Sequence, residues 1–94
     1  MKEDILKRTY RRSRIIEGQF KGLQKMIAND AYCMDILTQS LAIQRSLASL
    51  NKLVLGHHIE THVTDMLSSG NEIERIKAVE ELKALYELNN IKGK

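Results

Sequence analysis

Apolar side chains recur along this chain at spacings of three and four. In the first thirty residues they fall at Ile5, Ile16, Phe20, Leu23 and Ile27, which predicts a helix from about Lys2 to Ala28 with one face turned inward. Gly18 and Gly22 lie one turn apart inside it. A mid-helix glycine costs roughly 1 kcal/mol against alanine, so the pair predicts close approach of another backbone. Asn29-Asp30 then predicts a turn, with Asp30 as N-cap accepting from the first amides of a second helix, about Ala31 to Leu67. That helix carries two stripes. Ile36, Ser40, Ile43, Leu47, Leu50 and Val54 form a coiled-coil-like seam, and Leu37, Leu41, Ala48, Leu55 and Ile59 run beside it. A helix apolar on two sides needs two partners: helix one of its own chain, and another subunit. Ser68-Ser69-Gly70 predicts a stop, with Gly70 in a left-handed position. Asn71 with Glu74 three later resembles a capping box. A third helix is predicted from about Glu72 to Leu88, burying Ile73, Ile76, Val79, Leu82 and Leu85 or Tyr86, and residues 89–94 predict a flexible tail.

The chain has no proline and no alternating run of β-branched and aromatic residues. The expected fold is therefore all-α, a three-helix protomer in one domain over residues 1–94. Ninety-four residues bury only a modest core. One cysteine rules out a disulfide framework, so oligomerisation is the expected supplement. A lone reduced cysteine also predicts a cytoplasmic protein. The Lys-, Glu- and Asp-rich start predicts no secretory signal, and no run of 18 apolar residues predicts a membrane span. The net charge of +3 is unevenly spread. Residues 1–30 carry eight Lys/Arg against four Asp/Glu, residues 31–62 balance, and residues 63–94 carry five against six. Lys7, Arg8, Arg11, Arg12 and Arg14 crowd helix one, the footprint expected of a polyanion partner; the plainer alternative is a solvated helix face.

Cys33, His58 and His62 carry the candidate chemistry. At about 1.5 Å per residue, Cys33 and His58 of one chain lie roughly 37 Å apart on a continuous helix and share no ligand. At roughly 100° per residue, His58 projects about 20° to one side of Cys33 and His62 about 20° to the other, so all three face one way. Two such helices packed antiparallel bring Cys33 of one chain against His58 and His62 of the other, twice per dimer. The first turn of a helix favours negative charge on Cys33, and a thiolate is what a soft metal binds. His58 and His62, at i and i+4, can converge on one ion. One sulfur and two nitrogens suit Cu(I); a fourth ligand would suit Zn(II), Ni(II) or Co(II). His57 points about 100° from His58. Read singly, each residue has a plain alternative: a small buried hydrophobe for the cysteine, an ordinary polar face for the histidines. No Gly-rich phosphate loop and no Ser/His/Asp arrangement is present, so the chain does not read as an enzyme.

Three blocks in order carry a resemblance. They are Arg12-Ser13-Arg14-Ile15-Ile16-Glu17-Gly18-Gln19-Phe20-Lys21-Gly22-Leu23, Tyr32-Cys33-Met34-Asp35-Ile36-Leu37-Thr38-Gln39 and His58-Ile59-Glu60-Thr61-His62. Over about residues 6–88 the chain resembles the CsoR/RcnR family of metal-sensing bacterial repressors. The resemblance implies an antiparallel four-helix-bundle dimer built from helices one and two, with two dimers forming a flat homotetramer. It implies binding to double-stranded operator DNA without inducer. It implies release when metal fills a site made from a Cys of one protomer and two residues of its partner, and Cys33, His58 and His62 match those positions. Copper sensors mostly carry Cys where His62 stands. Nickel and cobalt sensors carry His there but usually add an N-terminal His, and this chain has none before His57. It therefore looks like a Cys-His-His variant of a copper sensor, with Zn(II) or Ni(II) as alternatives. Formaldehyde sensors of the family also keep the Cys and the first His.

The resemblance implies a second shell of Tyr32 and Glu81. Glu80 is the alternative carboxylate, because the loop around Ser68–Asn71 blurs the register. For DNA it implies Arg12 and Lys52, alongside the basic cluster of helix one; Ile15 stands where a basic residue is common, so the basic face is shifted. The rival expectation is a helical structural or interaction oligomer whose Cys and His are incidental.

Overall fold

A computed structural model describes residues 1–89, and among them every regular element is helical. Helix α1 spans Glu3–Ala28, α2 Cys33–His58, α3 Thr64–Ser68 and α4 Glu72–Asn89. A π-helical turn, Ile59–Val63, joins α2 to α3. His58, Val63 and Thr64 at its junctions all keep right-handed helical dihedrals, so the backbone stays helical from Cys33 to Ser68. The second predicted helix is thus present but carries one widened turn that its apolar period does not announce. Cα packing divides the chain into two compact units, Met1–Leu55 and one beginning at Gly56.

The ends of α1 and α2 differ from expectation. Asp30 does not cap α2, which starts two residues beyond the predicted Ala31. The amide of Ala31 donates to Met26 O at 2.9 Å and that of Asp30 to Ile27 O at 3.1 Å. Together they form a Schellman closure of α1, with Asp30 at φ 53° where glycine is usual. The opening of α2 falls to Tyr32, whose carbonyl accepts from Asp35 N–H at 2.9 Å and Ile36 N–H at 3.2 Å. Further on, Gly70 sits at φ 75°, as its sequence position predicts. Asn71 Oδ1 accepts from Ile73 N–H at 2.8 Å and Glu74 N–H at 3.3 Å, which caps α4.

In the first unit the inner face of α1 runs through Ile5, Thr9, Arg12, Ile16, Gln19, Leu23 and Met26, alternating four and three. Phe20 and Ile27, expected inside, are exposed. On α2 the inner seam holds Ile36, Ser40, Ile43, Leu50 and Val54, with Ile43 only 4% exposed; Leu47 is more open. The second stripe leaves Leu37, Leu41 and Ala48 open. The glycine expectation needs correction. A Cβ at Gly22 would stand 3.3 Å from the Gln39 side-chain amide, and one at Gly18 would meet nothing within 4 Å. Gly22 thus admits a side chain, not a backbone, and that amide donates to Gln19 O at 2.9 Å.

The second unit departs most from its pattern. The predicted stripe Ile73, Ile76, Val79 and Leu82 faces outward, Ile73 being 65% exposed, as does Tyr86. The inner face of α4 is instead Glu74, Ala78, Glu81 and Leu85. Ala78 is fully buried, and Val63 of the π turn is 2% exposed. A small residue at position 78 lets α4 lie close to the π turn and α3, with which it packs. The carboxylate of Glu81 is carried inward on the same face. The expected flexibility of the tail falls on residues 90–94, which lie outside the described residues; α4 itself runs to Asn89.

Candidate metal centre and basic face

Cys33 is the first residue of α2 and its thiol is exposed. Tyr32, one residue before, is also exposed. His58 closes α2 and is half-buried, while His62 lies within the π turn and is exposed. Their ring centroids are 5.1 Å apart, the planes tilted by 38°. At imidazole–metal distances of roughly 2 Å, one nitrogen from each ring can reach a common ion.

Glu81 fixes one of those rings. Its Oε1 is hydrogen-bonded to His58 Nε2. A carboxylate only accepts, so in the neutral ring Nε2 carries the proton and Nδ1 keeps its lone pair. The bond therefore both sets the tautomer and chooses the donor atom. Glu80 points elsewhere, to a groove it lines with Leu67, Glu72 and Ile76. Among the described residues of one chain, no three His, Cys, Asp or Glu side chains assemble as a ligand set. A thiol and two adjacent imidazoles, one already oriented through its second nitrogen, fit a soft or borderline ion once the sulfur comes from another chain.

Helix α1 carries the basic face. Lys7, Arg11, Arg14, Lys21 and Lys25 are all exposed and lie within an arc of about 80°, roughly opposite buried Ile16. Lys21 and Lys25 extend the predicted cluster by three turns. Their signal is the continued spacing of seven and four residues beyond the dense run Lys7–Arg14. Two members are already engaged. Arg14 pairs with Glu17 at 3.2 Å and lies 6.0 Å from the Tyr10 ring centroid. Lys7 stands 3.7 Å from Glu3. Arg12 is not on the open face: it is half-buried and its guanidinium donates to the Ser49 hydroxyl of α2. Arg8 flanks the stripe on the side towards Arg12, and Lys52 is exposed on α2.

The described residues hold no helix long and apolar enough to cross a membrane. The sequence pattern of the metal-sensitive transcriptional repressor family matches residues 2–89. A copper-sensing transcriptional repressor, CsoR of Bacillus subtilis, is 41% identical over 56 residues, 60% of this chain and 55% of that protein. The copper-sensing repressor RicR of Mycobacterium tuberculosis is 38% identical over 60 residues, 64% of this chain and 62% of that one. The chain thus spans about half to three-fifths of the length of these curated relatives. The crystal structure of CsoR with Cu(I) from Geobacillus thermodenitrificans superposes with a TM-score of 0.74 at 30% identity, covering 93% of this chain and 90% of that one. With nearly its whole length matched in sequence and in fold, the chain belongs to the family of metal-sensitive transcriptional repressors, which are not enzymes.

Proposed function

We propose that the chain is a cytoplasmic repressor that holds operator DNA when metal-free and releases it when Cu(I) occupies a site made by two protomers. The observation that carries this reading is the triplet Glu81–His58–His62: a carboxylate on Nε2, a free Nδ1, and a second imidazole 5.1 Å from the first. In the proposed homodimer, protomers lie antiparallel, so Cys33 of one meets His58 and His62 of the other; two dimers make a tetramer. Cys33 of one protomer and His58 and His62 of its partner would hold Cu(I), which would tie the two chains together. Tyr32 lies beside the thiol, and Glu81 joins the His58 ligand to α4. Through them, filling the site biases how α4 and the basic faces are held. Lys7, Arg8, Arg11, Arg14 and Lys52 contact phosphates, while Arg12, bonded to Ser49, fixes the angle between α1 and α2 that presents them.

Two copper-sensing relatives and a Cu(I)-bound neighbour support Cu(I) as the inducer. The nitrogen-rich third position, His62, is the observation that favours Zn(II) as the second reading. The test is fluorescence anisotropy on a duplex selected from a random pool by the metal-free protein. Cu(I) is expected to weaken binding by about 5- to 150-fold, the usual span of allosteric coupling, and Cys33→Ala to abolish that response while leaving metal-free binding intact. Binding should also weaken steeply with salt. Failure to select any duplex at low salt, or an undiminished Cu(I) response in Cys33→Ala, overturns the proposal. A larger response to Zn(II) than to Cu(I) at matched free-ion concentration reassigns the inducer.

A further inference from the structure

The π turn begins immediately after His58 and contains His62. In an α-helix, a residue four positions on overshoots a full turn by about 40°. In a turn closed by i→i+5 bonds it falls short of one. The widened turn thus swings the second imidazole to the opposite side of the first, and it is this arrangement that has the rings 5.1 Å apart. Such turns forfeit regular hydrogen-bond geometry, so something local must favour them.

Thr64 supplies that preference. The chain has four threonines, and each hydroxyl donates back to a carbonyl. Thr9, Thr38 and Thr61 reach the residue four before, Ile5, Met34 and His57, at 2.7, 2.8 and 2.8 Å. That is the ordinary habit of threonine in a helix. Thr64 alone reaches five back, to Ile59 O at 2.8 Å. Its own amide donates to the same carbonyl. One residue therefore closes the wide turn twice, by N–H and by O–H. The turn is anchored on the other side by Val63, buried where the π segment packs on α4.

We propose that Thr64 is a positioning residue for the metal centre: its hydroxyl holds the π register and so sets the spacing of His58 and His62. This rests on the reading of those histidines as ligands. Thr64 is not one of the proposed ligands; its hydroxyl and amide are both spent on Ile59 O. Loss of the hydroxyl lets the segment relax towards i→i+4 bonding, which turns His62 away from its place beside His58 while Glu81 still holds the latter.

The test uses the full-length protein with Thr64→Val, which keeps the branched shape, and Thr64→Ser, which keeps the hydroxyl. Nuclear magnetic resonance of the metal-free protein reads the Ile59–Thr64 hydrogen bond and the contact between the two rings. Chelator competition reads Cu(I) affinity, and anisotropy reads metal-free DNA binding. Thr64→Val is expected to lose the i→i+5 bond and the ring contact and to bind Cu(I) about 10- to 100-fold more weakly, the usual cost of removing support behind a ligand. DNA binding should be unchanged, and Thr64→Ser should restore the wild-type values. A Thr64→Val protein that keeps the wide turn, or that loses it with Cu(I) affinity intact, overturns the proposal. If wild-type protein itself binds no Cu(I), the assignment of the ligands fails, and the resonance measurement alone decides whether Thr64 holds the turn.

Discussion

The two halves of this chain differ in what their inner faces hold. In the α1–α2 hairpin, Ile16, Ile43 and Leu50 point inward, Arg12 is half-buried against Ser49, and the other basic residues of α1 point out. From Gly56 onward, Ile73, Ile76 and Val79 point out, and a carboxylate and an imidazole, Glu81 and His58, meet on the inner side. The first arrangement makes a scaffold that any amphipathic sequence of the right period could supply. The second brings a carboxylate and an imidazole into contact beside buried Ala78 and Val63. Local rules are broken beside the proposed metal ligands, as is usual where a sequence serves function as well as fold.

Several substitutions would break that contrast, and they differ in size. Ile43→Ala removes a buried branched side chain from the scaffold and should cost about 2–5 kcal/mol in urea unfolding. The same change at Ile76, on the open stripe, should cost well under half of that at concentrations where the chain is monomeric; equal losses would mean that the two halves are not different in kind. Glu81→Ala should weaken Cu(I) binding about 10- to 100-fold by chelator competition, with Glu80→Ala unchanged. If the two carboxylates behave alike, the His58 contact is not what selects the donor nitrogen. Asn71→Ala removes the cap of α4 and should cost about 1 kcal/mol. The smallest effect has the opposite sign. Asp30→Gly relieves a left-handed φ at the α1 closure and should stabilise the hairpin by a few tenths to about 1 kcal/mol in thermal unfolding.

The sequence carried the helices well because their period, the absence of proline and the punctuation at Ser68–Asn71 all agree. It carried Gly70 and Asn71 because both act through their own backbone conformation or side-chain oxygen. It misplaced Asp30 because aspartate serves equally well as an N-cap and as a tolerated left-handed residue, and only the Met26 and Ile27 carbonyls distinguish the two. It misread α4 because apolar spacing says which face is buried without saying against what. Within one chain, Ala78 and Glu81 win that face, since only a small residue permits the close packing. The grouping of Glu81 with His58 was legible only through a family likeness; no spacing rule links positions 23 apart on different helices. The π turn was illegible, for its only mark is a threonine whose hydroxyl reaches one residue further than usual.

The open stripe on α4 carries a thermodynamic consequence. A chain that leaves Ile73, Ile76, Val79 and Tyr86 in water has little reserve of its own. Its melting point should therefore climb with protein concentration, because gathering of protomers and attainment of the native state become one mass-action equilibrium. Dilution alone would then lower its stability towards that of the lone protomer.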